Sequence, residues 1–158
     1  MKNKNPFDRF PMLECAEGVL FDAFAICKYL SQGSALMGSS RLHNSQVTSD
    51  IKTMESQIMP SLVLIAAVIY GTAENVTTED YNESVKHVKE YVKSLNSRKE
   101  FEVTVADIWM VAQLSTVYQT VLDAGFQKGM SIATAWFVRI SNMSEFSNVF
   151  GAIKLCQK

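Results

Sequence analysis

This sequence has no excess of basic charge. Fifteen Lys and Arg face sixteen Asp and Glu, for a formal net charge of -1. That argues against direct binding of nucleic acid by phosphate neutralisation. The one acidic stretch, at 77–83, reads as a solvated helix start. Long hydrophobic runs are also missing. The most apolar stretch, LVLIAAVIY at 62–70, has nine residues, whereas a bilayer-spanning helix needs about 20. It reads as a buried helix and not as a membrane span. The opening MKNKNPFDRF has no apolar core, and its single arginine, Arg9, sits beside Asp8. It reads neither as a secretory signal nor as a mitochondrial presequence. Three cysteines, Cys15, Cys27 and Cys156, form no CxxC, and His43 and His87 stand at no metal-ligand spacing to them. The expectation is buried thiols in a reducing compartment, the cytoplasm, and no metal.

Catalytic signatures are equally scarce. No GxSxG, P-loop, HExxH, DxDxDG or GxGxxG occurs. Glu14 and Glu17 lie close on a predicted turn and read as a solvated pair. Trp109 and Trp136 stand at core spacing inside helices. The residues by themselves offer no catalyst and no cofactor site.

The chain does have enough apolar material for one compact domain, or for a domain with a fragment of another: 158 residues, 47% hydrophobic. Residues 1–9 form a polar lead-in. FPMLE and VLFD are short apolar runs separated by CAEG, and Gly18 can take the positive φ of a tight hairpin turn, so two strands are predicted. From Asp22 the period lengthens. Phe24, Ile26, Tyr29 and Leu30 fit a short amphipathic helix ending near Gly33. The Ser- and Gly-rich SQGSALMGSSRLHNS then marks a boundary, with a linker at 34–43 between a segment at 10–33 and a helical domain at 44–158.

That domain reads as helix throughout. Residues 45–70 carry Val47, Ile51, Met54 and Ile58 on one stripe. A kink is expected at Pro60, and burial on most sides beyond it. Thr77 or Thr78 opens the next helix. Its apolar face holds Tyr81, Val85, Val88, Tyr91, Val92 and Leu95, and its wet face Lys86, Lys89 and Lys93. In VTVADI, Thr104 can cap the N–H three residues on, and Asp107 can reach back to the N–H of Thr104. This is a capping box with Asp for the usual Glu. The helix it opens is expected to be mostly buried. Gly125 and Gly129 bracket a break. A helix with Trp136, Phe137 and Ile140 inward follows, and a short helix closes the chain.

Hairpin, short helix, kinked long helix and capped buried helix, in that order, resemble the glutathione transferase superfamily from about Phe10 to the end. FPMLE resembles the strand that begins with the superfamily's cis-proline, here Pro11. LFDAFAI resembles its acidic-Ser-x-Ala-Ile stretch, and VTVADI the capping box of its all-helical half. Within the superfamily the likeness is to the transferase-like domain of the elongation factor 1-gamma family. It rests on QIMPSL at 57–62, on the segment from VTVADI to KGM, and on WFVRISNMSEFSNVFGAIKLCQK with its ending KLC. The fold class implied is mainly α: a transferase-type helical bundle preceded by a remnant of a thioredoxin-like α/β half, made of a hairpin and one helix.

The departures from the family bear on function. The first strand-helix-strand unit, which carries the thiolate-stabilising residue of active transferases, is expected to be missing. Ala23 stands where the Ser that grips the γ-glutamyl carboxylate would be. A hydroxyl-to-carboxylate bond is then lost, worth about 1.5–3 kcal/mol. Asp22 keeps its place as a helix-start acid, and SRKEFEVTVADI lacks the family's Gly-containing turn. Pro11, Asp22 and Ala23 are therefore vestigial glutathione-site positions, and Thr104 and Asp107 a structural cap. The resemblance implies a non-catalytic scaffold, without cofactor, that anchors the elongation factor 1B exchange subunits. The alternatives are a structural subunit of another assembly, such as a multi-synthetase or organelle complex, and a residual transferase using a partner's nucleophile. It also implies homodimerisation through helices at 45–70 and 78–95.

Overall fold

The computed structural model describes residues 5, 8, 10–97 and 102–158. Apart from Asn5 and Asp8, the polar lead-in lies outside the described residues, as does most of the turn before VTVADI.

Strands β1 (Met12–Cys15) and β2 (Gly18–Phe21) pair antiparallel, with Met12 opposite Phe21 and Cys15 opposite Gly18. Ala16 and Glu17 make the turn, and Gly18 takes a φ of 151° after it. Asp22 does not extend β2 as its place in VLFD implied. It caps α1 (Ala23–Ser31).

The stretch expected as a linker is more ordered than its composition implied. Residues 35–37 form a single 3₁₀ turn, and α2 (Arg41–Thr53) starts four residues before the expected Ser45. The Ser40 hydroxyl accepts from the His43 N–H at 3.1 Å, which fixes that start. Just before it, Gly38 has a φ of 88°, and a Cβ there would stand 2.8 Å from the His43 ring. Only glycine fits both constraints.

A π turn (Met54–Ile58) joins α2 to α3 (Met59–Ile69) without a break. The kink expected of Pro60 appears as this turn, in which the Met59 N–H reaches back to the Met54 carbonyl. Val47, Ile51, Met54 and Ile58 are all buried, as the stripe predicted. Burial on most sides beyond Pro60 does not occur. Leu62 and Ile65 enter the core, but Val63 is 59% and Tyr70 69% exposed. Arg41–Ile69 is long and apolar enough to cross a membrane by length and composition. Its stripe from Val47 to Ile65 is nevertheless part of the common core.

Helix α4 (Thr78–Leu95) packs against α3 and opens with a capping box of its own, Thr77 with Asp80. Lys86 and Lys93 are exposed as expected. Lys89 is only partly exposed: its ammonium lies 5.3 Å from the centre of the Phe126 ring and 3.8 Å from Asp123. Helix α5 (Val105–Thr120) runs through the centre, touching α1, α2, α3 and α7. Ala106, Met110, Val111, Leu114, Val117 and Tyr118 are each at most 1% exposed. The expected glycine-bracketed break is a short helix, α6 (Ala124–Gly129), capped by Asp123. Helices α7 (Ser131–Ser141) and α8 (Ser144–Phe150) complete the bundle.

Two long-range ties close it. Helix α7 has no side-chain cap of its own. Asn96, just past α4, supplies one: its Oδ1 accepts from the N–H groups of Ile132 at 2.9 Å and Ala133 at 3.1 Å. Asn96→Ala is expected to cost about 1–2 kcal/mol, read as a lowered urea midpoint with an unchanged slope. The second tie is the segment beyond α8. The Leu122 N–H bonds to Val117, so the Tyr118 carbonyl is left for the Cys156 N–H at 2.8 Å. Ala124 then donates to the Lys158 carbonyl at 3.0 Å. The buried amide of Gln127 donates to Cys156 at 3.1 Å.

Candidate functional site

The positions singled out in sequence converge where the hairpin meets α1. The Phe10–Pro11 peptide bond is cis. At the far end of β2, Asp22 has φ 84° and ψ 126°, a conformation non-glycine residues avoid. Such a residue stores about 1–3 kcal/mol of strain. It is held by its own carboxylate, which accepts from the Ala25 N–H at 2.9 Å. Ala23 is the first residue of α1 and half-buried.

Cys27, one turn along α1, is a half-buried thiol. Burial pushes its pKa up, and the charge of Asp22 adds to that, so the thiol form is favoured. Tyr29 donates from its hydroxyl to Glu17 Oε2 at 2.5 Å. That bond, with Cys15 beside it, raises the phenol's pKa and keeps its proton. Glu17, read in sequence as half of a solvated pair with Glu14, is thus the anchor of α1 on the hairpin turn. Among the described residues no group of three His, Cys, Asp or Glu is arranged to hold a metal ion.

The junction with the helical half is a charged clasp. Lys52 on α2 lies 4.9 Å from the centre of the buried Phe24 ring and pairs with Glu55 at 2.7 Å. The Glu55 bond raises its pKa, and Asp22 contributes a smaller part. Sequence pattern gave no sign of this link, because its members are spread over 31 to 33 positions.

Thr104 and Asp107 form the reciprocal cap. Asp107 Oδ2 accepts from the Thr104 N–H at 2.8 Å and from its hydroxyl at 2.7 Å, and Thr104 Oγ1 accepts from the Asp107 N–H at 3.4 Å. The other carboxylate oxygen, Oδ1, accepts from the Trp136 indole at 2.9 Å. One carboxylate therefore starts α5 and fastens α7 to it. The Thr77–Asp80 box carries the same T-x-x-D signature, which would have identified it in sequence.

Comparison with known proteins agrees with this geometry. No protein-family model matches the chain. Elongation factor 1-gamma-A of Xenopus laevis is 31% identical over 98% of this chain. Elongation factor 1-gamma of Danio rerio is 30% identical over 97%. The chain spans only 37% and 36% of those relatives. Among solved structures, the transferase-like domain of elongation factor 1-gamma from Saccharomyces cerevisiae superposes over 99% of this chain and 79% of its own, with a TM-score of 0.83 and 14% identity. Poplar glutathione transferase F1 superposes over 94% and 76%, with a TM-score of 0.78 and 16% identity.

Proposed function

On the premise of a glutathione transferase fold whose sequence resembles elongation factor 1-gamma along nearly its whole length, we propose that this chain is a non-catalytic protein-interaction module of the translation elongation machinery. It works in the cytoplasm and holds the subunits that exchange nucleotide on elongation factor 1A. The observation that carries the non-catalytic half is Ala23. In this reading the backbone of a thiol-peptide site persists in cis-Pro11 and in the strained, capped Asp22. The hydroxyl that would grip the peptide's carboxylate does not, and the neighbouring thiol favours its protonated form.

A scaffold needs rigid elements more than it needs chemistry. The doubly anchored α5–α7 pair and the strapped C-terminal segment supply them. Glutathione conjugation to 1-chloro-2,4-dinitrobenzene is expected to stay at the uncatalysed rate. Ala23→Ser is expected to tighten glutathione binding by roughly 10- to 100-fold without restoring turnover, as measured by calorimetry beside the same assay. Turnover by the unmodified chain would overturn the non-catalytic reading. The assembly half is tested by affinity capture of the tagged protein.

A further inference from the structure

A groove of about 500 Å³ lies outside the cradle, between α6, α7 and the C-terminal segment. Lys128, Ser131, Thr134, Ala135 and Gln157 are among the residues that line it, and none of its described lining residues is acidic. Three of its side chains are donors in reach of a ligand. Lys128 is exposed and ion-paired with no described residue. The Ser131 hydroxyl bonds to none either. The Thr134 hydroxyl donates to the Gln127 carbonyl at 3.0 Å, but that carbonyl also takes the Met130 N–H at 3.2 Å, so the hydroxyl is free to be redirected. The first N–H groups of α7 are taken by Asn96, so the site is made of side chains and not of a helix end. An independent observation lies behind this wall. Tyr118 is 1% exposed, and its hydroxyl is enclosed without a hydrogen-bond partner. Thr134 stands beside it, close enough to act on the phenol but outside hydrogen-bond geometry. A buried donor without an acceptor is costly, so this one fits a site that an incoming group completes.

We propose that this groove docks an acidic segment of a partner protein, with one carboxylate accepting from Lys128, Ser131 and Thr134. In the bound form the Thr134 hydroxyl donates outward and its oxygen accepts from Tyr118, so the buried phenol gains the partner it lacks. A carboxylate has about four lone-pair sites, enough for these donors, and charge-assisted bonds are the stronger kind. Arg139, exposed and unpaired among the described residues, follows Ala135 by one turn. It lies about 7–8 Å along α7 from Thr134, roughly the span of two residues of extended chain. The segment therefore carries acidic residues at alternate positions. Ala135, small and exposed between the two donors, lets its main chain come close. This inference deepens the reading of the chain as a protein-interaction module and rests on it.

The test is a nuclear magnetic resonance titration of the full chain with an acetylated Glu-Ala-Glu amide. Saturable shifts are expected at Lys128, Ser131 and Thr134. Lys128→Gln is expected to bind at least about tenfold more weakly while melting as the wild type does, since the side chain is exposed. Tyr118→Phe separates the buried relay from surface charge. It removes a hydroxyl that the free chain leaves unpaired, so the melting point should not fall, yet the peptide should bind roughly 3- to 10-fold more weakly. The Gln-Ala-Gln peptide, which keeps the shape and lacks the charge, is expected to cause no shift. Equal binding of the glutamine peptide, of Lys128→Gln or of Tyr118→Phe overturns the proposal. So does an equal response to sodium acetate at the same concentration, because the groove would then take any small anion. Self-association in sedimentation that Lys128→Gln abolishes also overturns it, because the groove would belong to a second copy of this chain. The titration contains no elongation factor. Capture without exchange subunits would sink the assembly reading and leave this result standing, and a silent titration would overturn this inference and leave the assembly reading intact.

Discussion

Asp107→Ala is expected to cost about 3–4 kcal/mol, or a melting point lower by about 10 °C at this chain length. A cap alone is worth about 0.5–2 kcal/mol. Here the same carboxylate also holds the Trp136 indole, so the substitution strands donors on two helices at once. Thr104 is 4% exposed, so water does not readily replace the lost acceptor at its N–H. Asp107→Asn keeps one acceptor oxygen and puts an NH2 donor in place of the other, so it can hold Thr104 or the Trp136 indole but not both, and should cost about half as much. The comparison inside the molecule is Asp80. It makes the same box with Thr77 at an exposed helix start and bonds to no third group among the described residues, so Asp80→Ala should cost clearly less. Thermal melting of the three variants decides the point. Equal losses for Asp107→Ala and Asp80→Ala would mean that the tie to α7 contributes nothing.

Phe137→Ala is the second large effect, at about 3–5 kcal/mol. Phe137 is fully buried, and its ring lies 3.9 Å, centroid to centroid, from that of Tyr118 at an interplanar angle of 15°. Truncation leaves a cavity against the central helix, which is tied on its other flanks and can collapse little. Phe137→Leu refills most of the volume and should cost about 1.5 kcal/mol or less. A second readout separates this cavity from general loosening. Burial pushes the Tyr118 phenol up to about 12, with the Thr134 side chain drawing it part of the way back. If the new space admits water, the phenol should titrate closer to its ordinary value of about 10 in Phe137→Ala and stay high in Phe137→Leu. Ultraviolet titration of the folded variants measures this.

The elements most legible in sequence were those with a local chemical signature. Thr104 and Asp107 announced α5 because a cap needs particular residues three apart. The stripe from Val47 to Ile58 announced its helix because the burial period is that of the helix itself. Position 22 was legible as a helix-start acid, but its positive φ was not, because nothing in the residue type reports it. The start of α2 was missed for a different reason. Its first turn is polar and exposed, with Leu42 69% exposed, so no apolar period marks it. The exposure of Val63 and Tyr70 was hidden because an all-apolar helix gives no sign of which side faces solvent. The ties that complete the fold, Asn96 to α7, Lys52 to Phe24 and Cys156 to Tyr118, join residues 28 to 38 positions apart. No short motif encodes such contacts.

The same division holds at the candidate site. The reading of Ala23 came from one position, once the pattern around it was recognised. The hydrogen bond between Ser61 and His87 Nδ1 depends on how α3 and α4 pack, and no motif marks it.

The measurement that bears most directly on the central claim is affinity capture of the tagged protein from its own cells, with mass spectrometry of the proteins that remain bound. The account predicts elongation factor 1A and its exchange subunits, in stable proportion to the bait. A different stable assembly, with those factors absent, would contradict it.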